Sequence, residues 1–400
     1  MPVMSNFISQ TTAKILNLDF KSSKNAPNIA DIADEVQKKL DSLTKPQGSL
    51  GRLEELSKHL AVITGRLNPS FDKKLIIVLA ADHGVTEENV SAYPKEVTAQ
   101  MVYNFLNGGA AINVLANHVG ADVCVVDVGV ASELNIKNYS FNKAFNYSNI
   151  VNKDIKNENS DYLIFEGKGS KKFFFSKKVD FGTKNMSKGP AMTKSQAQAA
   201  IETGILVAEK MIRNGYQIIG TGDMGIGNTT ASSAITACIC SKEPELVTGY
   251  GTGIDNKGFL HKVDIIKKAL KINKPDNKDA IDVLSKIGGF EIGAIAGVIL
   301  GCAANRVPVV IDGFISGASA LIAYLLEPKC RNFMVASHNS KEKGHKIILE
   351  YLNLNPLLDF EMRLGEGTGA ALAIGICEAA VKILNEMATF SQAGVSQKNI

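Results

Sequence analysis

Glu366 stands between Gly365 and Gly367 in the stretch RLGEGTGAAL, at the mouth of a long apolar run of helical character. A carboxylate in that place can accept a proton from a ligand. The glycines let the backbone approach that ligand closely, and Thr368 falls where first-turn N–H groups have no helical acceptor. A Glu at a helix start is also stabilised by the macrodipole alone, so residue type does not separate catalysis from structure. The same combination of Gly, Thr and acid recurs in GTGDMGIGNTT, Gly220 to Thr230, and in GTGID, Gly251 to Asp255. Together these loops offer many backbone N–H donors, with Lys262 and Ser340 as side-chain donors, a set suited to one phosphate plus a sugar. One carboxylate at their convergence, and no HExxH or comparable metal-ligand cluster, points to a transfer reaction in which one proton is removed and none supplied.

Other chemistries fit the pattern less well. GTGDMG has the form of GxGxxG after a strand, but a dinucleotide site needs a second strand ending in an acid about 20 residues on, where this chain reads CSKEPELVTGYG. No GxxxxGK[ST] occurs, so no P-loop is expected. A non-catalytic nucleotide or base sensor on the same scaffold is the alternative from another class, and the intact Glu366 loop argues against it. His83, in ADHGV, reads as a hydrogen-bonding brace of its loop.

The elements that must position these groups follow from hydrophobic periodicity. KKLIIVLAA, Lys73 to Ala81, is a continuous apolar run and reads as a buried parallel strand. It delivers Asp82, His83, Ser91, Tyr93 and Gln100 to its carboxyl end, where open α/β sheets bind ligands. A helix is expected from Pro94 to His118 and a second strand from Ala121 to Val130. A helix capped at Thr193 and stopped at Gly215 leads to the strand YQIIG. KIGGFEIGAIAGVILGCAANR and FISGASALIAYLLEP read as buried helices flanking the strand VPVVIDG, which ends at Asp312, and FMVAS is a further strand. Repetition of strand, Gly/Ser/Thr loop and helix predicts a doubly wound, mostly parallel α/β sheet. Residues up to Pro27 are polar and unpatterned; Ala30 to Leu43 and Leu50 to Ile63 read as helices, the latter capped by Ser49. Residues 132–180 are rich in Asn and Lys and read as an insert on a core that does not need it. A β-hairpin at Tyr162 to Lys178 is weighed there against a solvated loop, and the loop is preferred.

An apolar share of 45% with 21% charged residues and no Trp fits a globular protein. The net charge of +4 comes without a long basic run, so nucleic-acid binding is not indicated. Six cysteines are scattered without a CxxC pair and read as reduced small hydrophobes. The first residues lack the apolar core of a signal peptide, and the apolar run Ile292 to Ala304 is too short to span a bilayer. No membrane association and a cytoplasmic location are expected.

The motifs LTKPQGSLGRLEEL, ADHGV, YPKEVTAQM, GTGDMGIGNTT, GTGID, IDGFISGASAL, ASHNSKEKGH and RLGEGTGAALA, in this order, resemble those of the nicotinate-nucleotide:dimethylbenzimidazole phosphoribosyltransferase family. The resemblance covers Leu43 to Met387 apart from the insert. It implies transfer of the phosphoribosyl group of nicotinate mononucleotide to a benzimidazole nitrogen, with inversion, giving α-ribazole 5′-phosphate and nicotinate, and no cofactor. It implies Glu366 as general base. Ser91, Tyr93, Gln100 and Leu364 would lie around the flat base. Asp223, Gly225, Gly227, Asn228, Thr229, Lys262, Ser340 and Gly365 would hold the phosphoribosyl part. Asp223 stands where many members carry Glu, one methylene longer. The family fold implies a small helical domain from both chain ends, residues 1–70 with 370–400, on a large α/β domain, residues 71–369. A homodimer is likewise implied.

Overall fold

The computed structural model describes residues 6–18, 29–136, 162–165 and 169–396. Helices α1 (Asn6–Leu16), α2 (Ile29–Ser42) and α3 (Arg52–Thr64) precede strand β1 (Lys74–Ala81). After it come α4 (Val97–Asn107), α5 (Ala111–Val119) and β2 (Ala121–Gly129). The insert supplies β3 (Tyr162–Phe165) and β4 (Lys172–Ser176). Then α6 (Lys194–Arg213), β5 (Ile218–Met224), α7 (Asn228–Ile239), α8 (Pro244–Val247), α9 (Asn256–Asn273), α10 (Ala280–Ile287) and α11 (Phe290–Ala304) follow. The chain closes with β6 (Val309–Ile311), α12 (Phe314–Leu326), β7 (Met334–Ala336), α13 (Lys343–Leu352), α14 (Thr368–Glu386) and α15 (Phe390–Ala393).

The strands form one sheet in the order β3-β4-β2-β1-β5-β6-β7. Every pairing is parallel except the β3–β4 hairpin. From β1 the chain winds outward through β2, then returns to the other side for β5, β6 and β7, so the topological switch point lies between β1 and β5. That is the doubly wound fold expected from the sequence. All eight residues of β1 are buried because both faces of the sheet are covered. Leu75, Ile77 and Leu79 enter one core with α6, α10, α11 and α12. Ile76, Val78 and Ala80 enter a second core with α3, α4, α5 and α14. Helix α11, buried along all fifteen residues, is apolar all round for that reason. Among the described helices α14 alone has the length and apolarity to cross a membrane, and here its apolar face packs on the sheet. A smaller cluster of Ile32, Val36, Leu40, Leu43, Ala61 and Leu384 joins α2, α3 and the far end of α14.

Several expectations are corrected. The N-terminal stretch is not without pattern: α1 buries Ile8 and Ile15 in the first core. Its stripe is hard to read because Thr11 and Thr12 fill the intervening turn, their hydroxyls turned back onto Phe7 and Ser9 carbonyls. Ser49 does not cap α3; Gly51 is the N-cap, and Glu54 reaches back to accept the Leu50 N–H at 3.0 Å. The single helix read from Pro94 to His118 is two, broken where Gly108 turns left-handed. The preference for a solvated loop at Tyr162 to Lys178 fails. β4 is hydrogen-bonded alongside β2, and Phe173, Phe174 and Phe175 are buried, so this part of the insert belongs to the core. The remainder of the insert, 137–161 and 166–168, lies outside the described residues.

Candidate active site

Loops at the carboxyl ends of β1, β5, β6 and β7 and the segment leading into α14 enclose a cavity of about 520 Å³. Tyr93, Asp223, Gly225, Asn228, Thr229, Ser340, Leu364, Gly365 and Glu366, all singled out from sequence, line it. Gly227 sits just behind the lining as the left-handed N-cap of α7. Lys262 lies one contact behind: fully buried on α9, it donates to Thr229 Oγ1 at 2.8 Å. Ser91 also stands back from the cavity, with its hydroxyl 3.1 Å from that of Thr252, which does line it. Gln100 is exposed on α4 and is not brought to the cavity, whereas Val97 and Met101 of the same helix are.

Local chemistry explains the phosphate-suited side. β5 runs through Gly220–Met224, so the first glycines of GTGDMG lie inside a strand and do not form the turn a dinucleotide site requires. The turn comes later, at Gly225 to Gly227, and opens α7 with its first N–H groups at the cavity. Gly251, at φ +53, brings its backbone beside Thr229 and Lys262; a Cβ there would lie 3.0 Å from Thr229 Oγ1 and 3.1 Å from Lys262 Nζ. Burial pushes the Lys262 ammonium down to about 8, with Glu342 opposing. An arriving phosphate would restore to this cation the charge partner that burial in place of water denies it.

The carboxylates are equally enclosed. Glu366 is 7% exposed, and none of the described residues hydrogen-bonds its Oε2. Burial raises its pKa above the usual carboxylate range, and the Ile112 N–H at the start of α5 opposes this. Asp223 is raised well above its ordinary value by burial and by the nearby Asp312 and Glu291 carboxylates, against a hydrogen bond from Asn228 at 2.9 Å. His83 donates or accepts at Glu291 Oε1 over 2.6 Å, both groups buried; its ring would meet a Cβ placed on Gly225 at 3.4 Å. The ring thus ties the loop after β1 to the first turn of α11 and packs beside Gly225.

Sequence reasoning gave no role to His338, Glu342, Arg363, Thr252, Phe314 or Ile315, which also line the cavity. All fall inside motifs that were recognised, so membership of a motif was the signal available. Arg363 ties two of these loops together by donating to the Gly251 carbonyl at 2.9 Å.

A phosphate-suited helix start and a desolvated carboxylate at the switch point of a doubly wound sheet define an enzyme that acts on a small phosphorylated ligand. A family model described as Phosphoribosyltransferase matches residues 26–395. Nicotinate-nucleotide–dimethylbenzimidazole phosphoribosyltransferases of Chloroflexus aggregans and Geobacter metallireducens are each 51% identical, over 92% and 93% of this chain and 94% and 96% of theirs. The crystal structure of CobT from Thermus thermophilus superposes with a TM-score of 0.79 at 40% identity, over 92% of this chain and 99% of that one. The chain belongs to the nicotinate-nucleotide–dimethylbenzimidazole phosphoribosyltransferase family.

Proposed function

We propose that this protein transfers the phosphoribosyl group of nicotinate mononucleotide to a ring nitrogen of 5,6-dimethylbenzimidazole or a related base, giving α-ribazole 5′-phosphate and nicotinate. The observation that carries the reading is Glu366, a desolvated carboxylate with a free oxygen, in the same cavity as the α7 N-terminus. Nicotinate departs from a cationic pyridinium and needs no proton, so one basic group suffices. The pyridine-type nitrogen of the incoming base bonds to the anomeric carbon as the bond to nicotinate breaks, and the N–H proton of the other ring nitrogen passes to Glu366. Attack on the face opposite the leaving group inverts β to α. The raised pKa suits Glu366 to this task, because a base of ordinary carboxylate strength would take that proton poorly.

The 5′-phosphate is assigned to the first turn of α7, Gly225, Gly227, Asn228 and Thr229, with Lys262 behind it and Ser340 and Gly365 beside the ribose. Asp223 is assigned to the ribose. Its Oδ2 accepts from Asn228 at 2.9 Å, and a Cβ on Gly365 would lie 3.1 Å from its Oδ1. The flat base is assigned to Tyr93 and Leu364, with Val97 and Met101 of α4 taking the part first given to Gln100. A small helical domain from both chain ends is supported by the cluster of α2 with Ala61 of α3 and Leu384 of α14; α1 packs on the first core, and Leu56 and Leu60 of α3 and residues 370–381 of α14 pack on the sheet. A cytoplasmic homodimer completes the proposal. The test is nicotinate release from nicotinate mononucleotide against a panel of acceptor bases. Release that requires a base is the expected result; release at the same rate without one would refute transfer.

A further inference from the structure

The backbone that carries Glu366 is unusual. Gly365, Glu366 and Gly367 are consecutive left-handed residues, with φ of +83, +62 and +89, and the middle one has a Cβ that disfavours this conformation. Gly367 is the N-cap of α14 and has no side chain with which to cap it. Left to itself, this helix start would have orphan N–H groups and a Glu free to relax toward ordinary φ. Both needs are met from another element. Asp312, the residue after β6, is 1% exposed. Its Oδ2 accepts the Gly367 N–H at 3.2 Å and its Oδ1 the Ala370 N–H at 3.0 Å. Asp312 is itself held from the strands on either side of β6. Its N–H donates to Thr221 Oγ1 of β5 at 3.2 Å, and its carbonyl accepts from Ser337, just past β7, at 2.8 Å.

We propose that Asp312 is a positioning residue for the transfer reaction: its two carboxyl oxygens clamp the first turn of α14 and so hold Glu366 left-handed in the cavity wall, with its buried Oε2 left unbonded. The clamp deepens the reading of Glu366 as general base and rests on it. Two acceptor oxygens are required because two N–H groups one turn apart must be taken at once. An amide in the same place offers one oxygen and turns an NH₂ toward a donor. Burial pushes the Asp312 carboxyl up to about 7 against the pull of these N–H groups; the geometric mismatch of an amide is what the substitution tests. A plain helix cap would stabilise α14 without regard to Glu366; a clamp on the base acts through Glu366 alone.

The experiment is a double-mutant cycle of Asp312→Asn with Glu366→Gln, reading kcat and the KM for nicotinate mononucleotide. Asp312→Asn is expected to lower kcat about 10- to 100-fold, the cost of misplacing a reacting group by a fraction of its contact distance, with KM nearly unchanged. In the Glu366→Gln background the same substitution should lower kcat by no more than about twofold, as for residues that act as a unit. Equal losses in both backgrounds, a wild-type kcat for Asp312→Asn, or a loss confined to KM would overturn the proposal. If Asp312→Asn does not fold, Thr221→Val removes the hydroxyl that fixes the Asp312 N–H. A smaller fall in kcat, abolished by Glu366→Gln, is then expected, and additive losses would overturn it. Glu366→Gln alone separates the two ideas: a wild-type rate there brings down the base reading itself, whereas a large loss with an additive cycle brings down only the clamp.

Discussion

The switch point and the β3–β4 edge of the same sheet are built by opposite means. At the switch point Asp223, Asp312, Glu366 and Lys262 are buried with their charges stripped of water, and the chain passes through consecutive left-handed residues. Each of these features disfavours folding. At the edge, Phe173, Phe174 and Phe175 fill the two cores, Tyr162 stacks on Phe175 with ring centroids 4.8 Å apart, and Lys210 lies over the Tyr162 ring. Burial of aromatic surface there favours folding and asks for no special group. The contrast teaches that activity and stability reside in different parts of one sheet, so substitutions should separate them.

The largest separation is expected at the centre. Glu366→Gln should lower kcat about 10²- to 10⁴-fold with little change in binding of nicotinate mononucleotide. Its thermal stability should not fall. Because the folded pKa of Glu366 is raised, this group's contribution to stability is greatest below the unfolded value and is lost as pH rises toward the folded one; Gln, which cannot ionise, escapes that loss at neutral pH. For the same reason the acidic limb of the wild-type rate profile should lie above the range of an ordinary Glu. A variant with wild-type turnover and reduced melting temperature would erase the contrast.

At the edge the reverse holds. Phe175→Ala should cost about 3–5 kcal/mol in urea unfolding, while kcat of the folded protein stays near wild type. A fall in kcat without loss of stability would show that the edge communicates with the site. Replacing residues 132–178 by a short linker, harmless if that segment were a loop, should destabilise the fold because β4 leaves with it.

Lys262→Met probes a buried charge. Loss of the buried positive charge behind the phosphate, and of its hydrogen bond to Thr229, should raise KM for nicotinate mononucleotide about 10- to 100-fold, with kcat changed much less. In the wild type, KM should climb above about pH 8 as Lys262 loses its proton; a flat KM across that range would remove Lys262 from the phosphate site. The smallest effect is expected from Thr193→Ala, which deletes the side-chain cap that accepts the Gln196 N–H of α6. It should cost about 1 kcal/mol of stability and leave both kinetic constants alone, as measured by calorimetry beside steady-state assays.

Local information sufficed wherever one neighbour's chemistry decided the outcome. The apolar run of β1 declared a strand covered on both faces. Thr193 declared a helix start, and the structure adds a capping box with Gln196. The loops carrying Gly225, Gly251 and Gly365, and Glu366 beside them, were singled out from residues adjacent in the chain, and they line one cavity. What depended on distant partners could not be read. β4 is a strand because β2 offers it a parallel edge. Gln100 faces outward while Met101 faces the cavity because α4 is set by its packing on the sheet, and α1 is a helix because α11 receives Ile8 and Ile15. Asp312 read only as the end of a strand, since its partners Gly367 and Ala370 lie more than fifty residues further along. A sequence records which groups each residue can bond or bury; the tertiary structure alone decides which of those groups meet, because only closure of the whole sheet brings the ends of β1, β5, β6 and β7 to one cavity.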